Sequence, residues 1–379
     1  MNGKSLEHFT LRRIDKEDAH YNVIFGMRSN GKSFAVEERG LKKYIESGGK
    51  EQMAIIRRYD VDLQGRKGAD VFSHFVNNPE KGNMITKMTH GEWTDVYCYS
   101  RRWYLCRWEN DKRLVDSKPF CFGFTLAGME HDKSLSFPGI TTILFDEFMT
   151  RQFYLIDEFV TFTNVLSTII RERDNVKIYM CGNTVNKYNP YFKEMGLNKV
   201  LQMEPGDIQV YKFAALHGKV LKIAVEYADN PNPEGKPSDV YFAFNNPKLQ
   251  MITNGIWELA IYPRLPYKYK RENVLFEFYI KWEEEVIHCE LINVEDEYFI
   301  FAHAKTTEIT EKEENNSVIY STEYNPNPHY RRRITVPNDD LDRKLYGFFK
   351  REKVFYQDND IGEVVRNYLQ WCTQDRGFV

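Results

Sequence analysis

The tightest constraint on this chain is the loop Gly26-Met27-Arg28-Ser29-Asn30-Gly31-Lys32-Ser33. A strand-type run, Tyr21 to Phe25 (YNVIF), leads into it. A segment with Phe34, Val36, Leu41 and Ile45 at mixed three- and four-residue spacing follows and closes at Ser47-Gly48-Gly49, which predicts a helix with a glycine stop. Strand, glycine loop and helix in that order are the setting in which G-x4-G-K-[ST] cradles phosphate. The glycines let the backbone turn its N–H groups toward an anion, and the helix N-terminus adds partial positive charge. Lys32 is then placed for the β- and γ-phosphates of a nucleotide, and the Ser33 hydroxyl for Mg²⁺. Such a match arises by chance roughly once in a hundred chains of this length. Gly3-Lys4-Ser5 repeats the tail of the pattern, but no strand precedes it, and it reads as a disordered start.

A second element, Thr141 to Phe148 (TTILFDEF), reads as a buried strand ending in an acidic pair, 114 residues after Lys32. Asp146 has the chemistry to hold Mg²⁺, and Glu147 to polarise an attacking water as general base. Strand material between the two elements (Met53 to Ile56, Val96 to Trp108, Phe120 to Leu126), with a Glu after the Asp, fits the additional-strand, catalytic-glutamate branch of P-loop ATPases. A further strand, Val176 to Cys181, ends at Gly182-Asn183-Thr184. Asn183 at that tip is a candidate γ-phosphate sensor, with an ordinary turn asparagine as the alternative. Before it, Val165 to Arg173 reads as a helix ending in arginines. Arg171 and Arg173 are either cations complementing the helix C-terminus or an arginine finger reaching a neighbouring subunit's ATP. GTP is disfavoured: Asn186-Lys187-Tyr188-Asn189 lacks the final Asp of the guanine-reading motif, and Met149 stands where D-x-x-G needs glycine.

Composition narrows the classes. A net charge of −3 means that any grip on nucleic acid comes from local basic loops. The six cysteines are scattered with no C-x-x-C pair, which argues against a zinc knuckle or a disulfide framework. The first residues, MNGKSLEHFT, show no secretory signal, and no apolar run is long enough to span a membrane.

Past residue 205 turn signals multiply, in Glu204-Pro205-Gly206 and Asp229 to Gly235 (DNPNPEG), and Tyr262 to Arg271 (YPRLPYKYKR) reads as an extended basic-aromatic stretch. From Val274 the chain becomes β-rich, a polar insert at Thr306 to Asn316 reads as an exposed hairpin loop or mobile segment, and Asp340 to Cys372 reads as helical. The expected organisation is an α/β P-loop NTPase domain over 1–205, mostly parallel sheet flanked by helices. A small linker region over 206–271 and an α+β domain over 272–379 follow.

The chain resembles the DNA-packaging motor ATPases of small short-tailed bacteriophages of the phi29 type, relatives of terminase large subunits. The pieces that carry the resemblance are the loop 26–33, Arg57-Arg58-Tyr59, Arg101-Arg102 with the following aromatics, Ile143 to Phe148, Arg171-Glu172-Arg173, and Asn183 through Asn189-Pro190-Tyr191-Phe192. They occur in family order over about residues 20–195. The resemblance implies ATP and Mg²⁺ as cofactors and a homo-oligomeric ring, usually pentameric, docked on the capsid portal (the connector). It implies hydrolysis at subunit interfaces driving double-stranded DNA into a preformed capsid, in some relatives with a structural packaging RNA. The protein would then act in the host cytoplasm and transiently on the procapsid. Arg171 becomes the trans-acting finger, with Arg173 second, while Arg57 and Arg58 have no fixed role. By the same resemblance the C-terminal domain is a vestigial RNase H-like nuclease. Strand one offers only Glu277 where such a nuclease needs several carboxylates around two metals, so no cutting is expected. Arg331-Arg332-Arg333 is the candidate phosphate-binding patch, a solvated basic loop being the alternative. The competing readings are a terminase large subunit with a working nuclease and a nucleotide-dependent nucleic-acid scaffold.

Overall fold

Strand β1 (Tyr21–Gly26) is buried from Asn22 onward and carries apolar side chains on both faces. Val23 and Phe25 enter one core, and Ile24 enters another on the opposite side. A strand apolar on both faces belongs in the middle of a parallel sheet covered by helices, and that is its place. The computed structural model describes residues 8–27, 30–128, 136–150, 154–155, 157–184, 189–214, 218–229, 262–282 and 285–373. They fall into two units, Met1–Trp257 and Glu258–Val379.

The first unit holds β2 (Gln52–Arg57), β3 (Asp95–Tyr99), β4 (Arg102–Glu109), β5 (Lys112–Val115), β6 (Cys121–Thr125), β7 (Ile140–Asp146), β8 (Lys177–Asn183), β9 (Ile208–Ala214) and β10 (Val220–Ala228). With β1 they form a ten-stranded sheet ordered β3-β4-β6-β2-β7-β8-β1-β10-β9, with β5 beside β4. Strands β6, β2, β7, β8, β1 and β10 run parallel, and the antiparallel pairings lie toward the two edges. The acidic strand β7 is therefore separated from the loop strand β1 by β8, which follows it in the chain, whereas β2 and β6, the parallel strands lying between the two motifs in sequence, sit on the far side of β7. Helix Lys32–Glu46 covers one face, burying Val36, Leu41 and Tyr44. Helix Glu158–Ile170 covers the other with Phe162, Val165, Leu166 and Ile169.

The expected linker over 206–271 is corrected at both ends. Strand β10 pairs with β1 along six residues, from Tyr21↔Ile223 to Gly26↔Ala228, and β9 pairs with β10. Glu204-Pro205-Gly206 therefore precedes a strand of the same sheet and does not end the domain, while residues 230–235 of the second turn signal lie outside the described residues. At the other end, Tyr262 donates to Glu363 (3.1 Å), and Pro263 accepts from the Tyr356 N–H (2.9 Å), so the basic-aromatic stretch packs within the second unit.

That second unit is a mixed six-stranded sheet of β11 (Val274–Trp282), β12 (Glu285–Val294), β13 (Glu297–Ala304), β14 (Val318–Ser321), β15 (Tyr330–Arg331) and β16 (Val354–Tyr356), in the order β15-β14-β11-β12-β13-β16. Strands β11, β12 and β13 are antiparallel neighbours, while β14, β15 and β16 join in parallel. Helix Asn359–Thr373 packs on β11, β12 and β13 through Ile361, Val364, Val365 and Tyr368. The polar insert is partly helical: Thr310 caps Glu311–Asn316, and Glu313 bonds back to the Thr310 N–H in a capping box.

Candidate nucleotide site

The loop begins where β1 ends. Gly26 has φ 146°, and a Cβ there would lie 2.7 Å from the Ala228 carbonyl oxygen of β10, so only glycine lets the two strands close at this point. Gly31 has φ 90° and turns the chain into helix Lys32–Glu46, which leaves the first N–H groups of that helix facing the cleft. Arg28 and Ser29 lie outside the described residues.

Lys32 is buried, and its Nζ donates to the Met27 carbonyl (2.6 Å), Asn30 Oδ1 (3.0 Å) and Asn183 Oδ1 (3.4 Å). Burial pulls its pKa down to about 8, against the opposing pull of Cys181 and Asp146. Ser33 Oγ donates to Asp146 Oδ1 at 2.5 Å, joining loop and acidic strand directly. Lys32, Ser33, Asp146, Glu147 and Asn183 thus line one cleft of about 260 Å³, together with Asn30, Gly31 and Phe34.

Glu147 follows the end of β7 with φ 58°, a left-handed conformation unusual for a glutamate and common where function holds a side chain in place. Its side chain is 61% exposed, so it is open to water. Arg57, at the end of β2, reaches across both carboxylates: Nη2 lies 2.5 Å from Asp146 Oδ2 and Nη1 3.1 Å from Glu147 Oε2. Burial works against the Arg57 charge, but Asp146 and Glu147 outweigh it and hold its pKa above the ordinary arginine value.

Arg58 points the other way, under the acidic turn. It pairs with buried Glu158 through two hydrogen bonds of 2.8 Å and donates to the carbonyls of Glu147 (3.1 Å) and Phe148 (2.8 Å). Tyr191 donates to Glu158 at 2.6 Å. The turn that presents Glu147 therefore rests on a desolvated and fully paired cluster. Neither arginine has a role legible in the sequence, because their partners lie about 90–100 residues further along the chain and meet them only through the fold.

The arginine alternatives separate. Arg173 caps helix Glu158–Ile170, donating to the carbonyls of Ile169 (2.8 Å), Ile170 (3.3 Å), Phe137 (3.1 Å), Pro138 (3.0 Å) and Ile140 (2.5 Å). A guanidinium committed in this way is a structural clamp. Arg171 is exposed, with φ 52°, at the C-cap of the same helix. It precedes β8 and so sits at the end of the sheet opposite the cleft of its own chain.

The three-arginine patch is corrected in the second unit. Arg331 bonds Asp339 (3.1 and 2.8 Å) and the fully buried Asp342, leaving it no charge to spare for phosphate. Arg332 and Arg333 both lie over the Trp371 ring, at 5.3 and 5.4 Å.

The order of strands, the glycine turn and the converging lysine, serine and carboxylates define a P-loop NTPase fold of the additional-strand type. Residues 3–204 match the Podovirus DNA encapsidation protein (Gp16), and the chain belongs to that family. It is 28% identical over 185 residues to the DNA packaging protein of Bacillus phage B103, covering 48% of this chain and 49% of that protein. It is 26% identical over 178 residues to the DNA packaging protein of Bacillus phage phi29, covering 46% of each. The match therefore spans about half the length of these relatives. In fold, it resembles a chain of the Phi-28 gp11 DNA packaging motor (TM-score 0.54, 16% identity, 99% of this chain and 100% of that one). It also resembles a chain of the bacteriophage Phi-29 genome packaging motor assembly (TM-score 0.53, 19% identity, 96% and 97%).

Proposed function

We propose that this chain hydrolyses ATP to drive double-stranded viral DNA into a preformed capsid, as one subunit of a ring docked on the portal. The observation that carries the reading is the convergence of Lys32, Ser33, Asp146, Glu147 and Asn183 on one cleft in a member of the encapsidation family. Lys32 is held by loop oxygens that a triphosphate would replace, so binding trades neutral acceptors for charged ones. The Ser33 hydroxyl and Asp146 carboxylate offer the hard oxygen pair that Mg²⁺ prefers. When bound, that ion supplies charge neutralisation at the phosphates. Glu147, exposed beside the cleft, orients water and takes its proton, provided Arg57 releases it. The hydrogen bond between Asn183 and Lys32 supports a role for Asn183 in sensing loss of the γ-phosphate.

Arg171, exposed at the far end of the sheet, supports a finger that serves a neighbouring subunit's ATP. A pentameric ring, with a structural RNA as a further partner, is the assembly that the family resemblance supports. In the second unit, Arg332 and Arg333 are the remaining candidates for a nucleic-acid contact. The deciding experiment is DNA uptake into purified proheads with ATP. Wild-type chain should protect DNA from nuclease, and Glu147→Gln should bind ATP but package nothing. Packaging by Glu147→Gln at the wild-type rate would remove Glu147 as the base.

A further inference from the structure

We propose that His288, Glu290 and His303 in the second unit bind a divalent transition-metal ion of the zinc class. The register of the antiparallel strands assembles them. Tyr279, His288 and His303 lie side by side across β11, β12 and β13, and Glu277, Glu290 and Phe301 form the adjacent row. Period-two alternation puts both rows on one face, while Phe278, Ile280, Ile287, Cys289, Ile300 and Ala302 fill the core on the other.

One ligand atom from each of the three side chains lies within 4.8 Å of the others. The two imidazole centroids are 4.7 Å apart. Tetrahedral zinc, with bonds of about 2.0–2.2 Å, brings its ligand atoms to roughly 3.3–3.5 Å of one another. Side-chain rotations of about an ångström close that gap. Two imidazoles and one carboxylate suit Zn²⁺ and its neighbours, and are too nitrogen-rich for Mg²⁺ or Ca²⁺.

An ion pair between His303 and Glu290, whose nearest atoms are 3.6 Å apart, would account for those two residues without a metal. His288 has a carboxylate of its own at ion-pair distance, Glu277, which it shares with Arg271. His288 Nε2 is enclosed and makes no hydrogen bond, although Glu277 Oε1 lies 3.1 Å away. The nearby cations are already engaged: Arg271 holds Glu277 through two bonds (2.5 and 2.7 Å), and Lys305 holds Glu313 (3.0 Å). Tyr269 donates to Glu290 Oε2 and fixes the carboxylate in the way an outer-shell partner orients a metal ligand. Three protein ligands leave a fourth position for water or a phosphate oxygen. The site differs in kind from the carboxylate cluster of a two-metal nuclease, because two of its three ligands are imidazoles.

The test is a titration of the chelator-stripped full chain with Co²⁺, followed by visible absorption, with Zn²⁺ competition against a chromogenic chelator. Binding should saturate at a single ion per chain, persist in excess Mg²⁺, and show no thiolate-to-metal charge-transfer band. His288→Asn and His303→Gln should each weaken Co²⁺ binding about tenfold or more, with circular dichroism confirming that they fold. Absence of saturable binding to the wild-type chain overturns the proposal. So does a thiolate band, or undiminished affinity in both variants. Should the variants fail to fold, the wild-type titration decides alone: saturable binding without a thiolate band supports the site, and its absence rejects it.

Discussion

At the scale of single residues, the nucleotide site was largely legible in the sequence. Gly26, Asp146 and Glu147 fall where strands end and Gly31, Lys32 and Ser33 where the following helix begins, and the chain order of those junctions is what the motif encodes. Arg57 was not found, because nothing local links it to carboxylates so far along the chain. Its bridge to Asp146 and Glu147 implies that it must move before either carboxylate can act. Arg57→Ala should therefore change hydrolysis more than nucleotide affinity, which separate measurements of kcat and Kd will show. Lys32 gives a pH test. Its pKa in the free chain is held down to about 8, chiefly by burial, and phosphate would raise it again. Binding then takes up a proton, and nucleotide affinity should fall by up to about tenfold per pH unit above pH 8. Calorimetry in two buffers of different ionisation heat measures that uptake directly; binding with no proton exchange above pH 8 would count against a charged Lys32 in the complex. Arg331 was misread for the opposite reason. A run of three arginines suggests a phosphate-binding patch, yet buried Asp342 is what Arg331 serves. Arg331→Ala should cost the second unit about 3–5 kcal/mol, as breaking a buried pair does, visible as a lowered Tm.

At the scale of elements, the central strands and the two covering helices follow from apolar periodicity, whereas β9 and β10 were taken for a linker. The turn signals that begin at Glu204-Pro205-Gly206 suggest a linker from residue 206 onward, whereas the register of β10 along β1 makes that strand part of the sheet. Glu226 on β10 gives that placement a measurable consequence. It is buried, and burial lifts its pKa to about 7, only partly offset by Arg13 at 3.7 Å. The folded pKa exceeds the unfolded one, so this carboxyl favours folding at low pH, and that contribution is lost as pH rises through about 7. Glu226→Gln should remove that loss and stabilise the chain at pH 8 by roughly 1–3 kcal/mol, with little change at pH 4. Helix Glu158–Ile170 is fastened at both ends, by Arg58 through Glu158 and by Arg173 through five carbonyls. Arg173→Ala should lower Tm by the equivalent of about 2 kcal/mol or more, because it strips donors from several carbonyls at once.

At the scale of the whole molecule, the two arginines at the end of that helix make distinct predictions. Arg171→Ala subunits mixed with wild type should depress ATPase activity more steeply than their fraction, since each poisoned finger disables a neighbour. Activity that only tracks the wild-type fraction would refute a trans role. Sequence reading left this choice open because a cap and a finger have the same composition. What distinguishes the two arginines is their surroundings, since Arg173 is committed to five carbonyls while Arg171 is exposed ahead of β8. That strand is seven residues long, roughly 23 Å at about 3.3 Å per residue, and is hydrogen-bonded to β7 on one side and β1 on the other. It cannot stretch. Asn183 marks one rim of the sheet, and Arg171, just ahead of the strand, marks the opposite rim. Each subunit would then receive its nucleotide signal at one rim and deliver its arginine at the other. In the proposed ring, such subunits would meet head to tail, so each arginine would serve the neighbour on one side only.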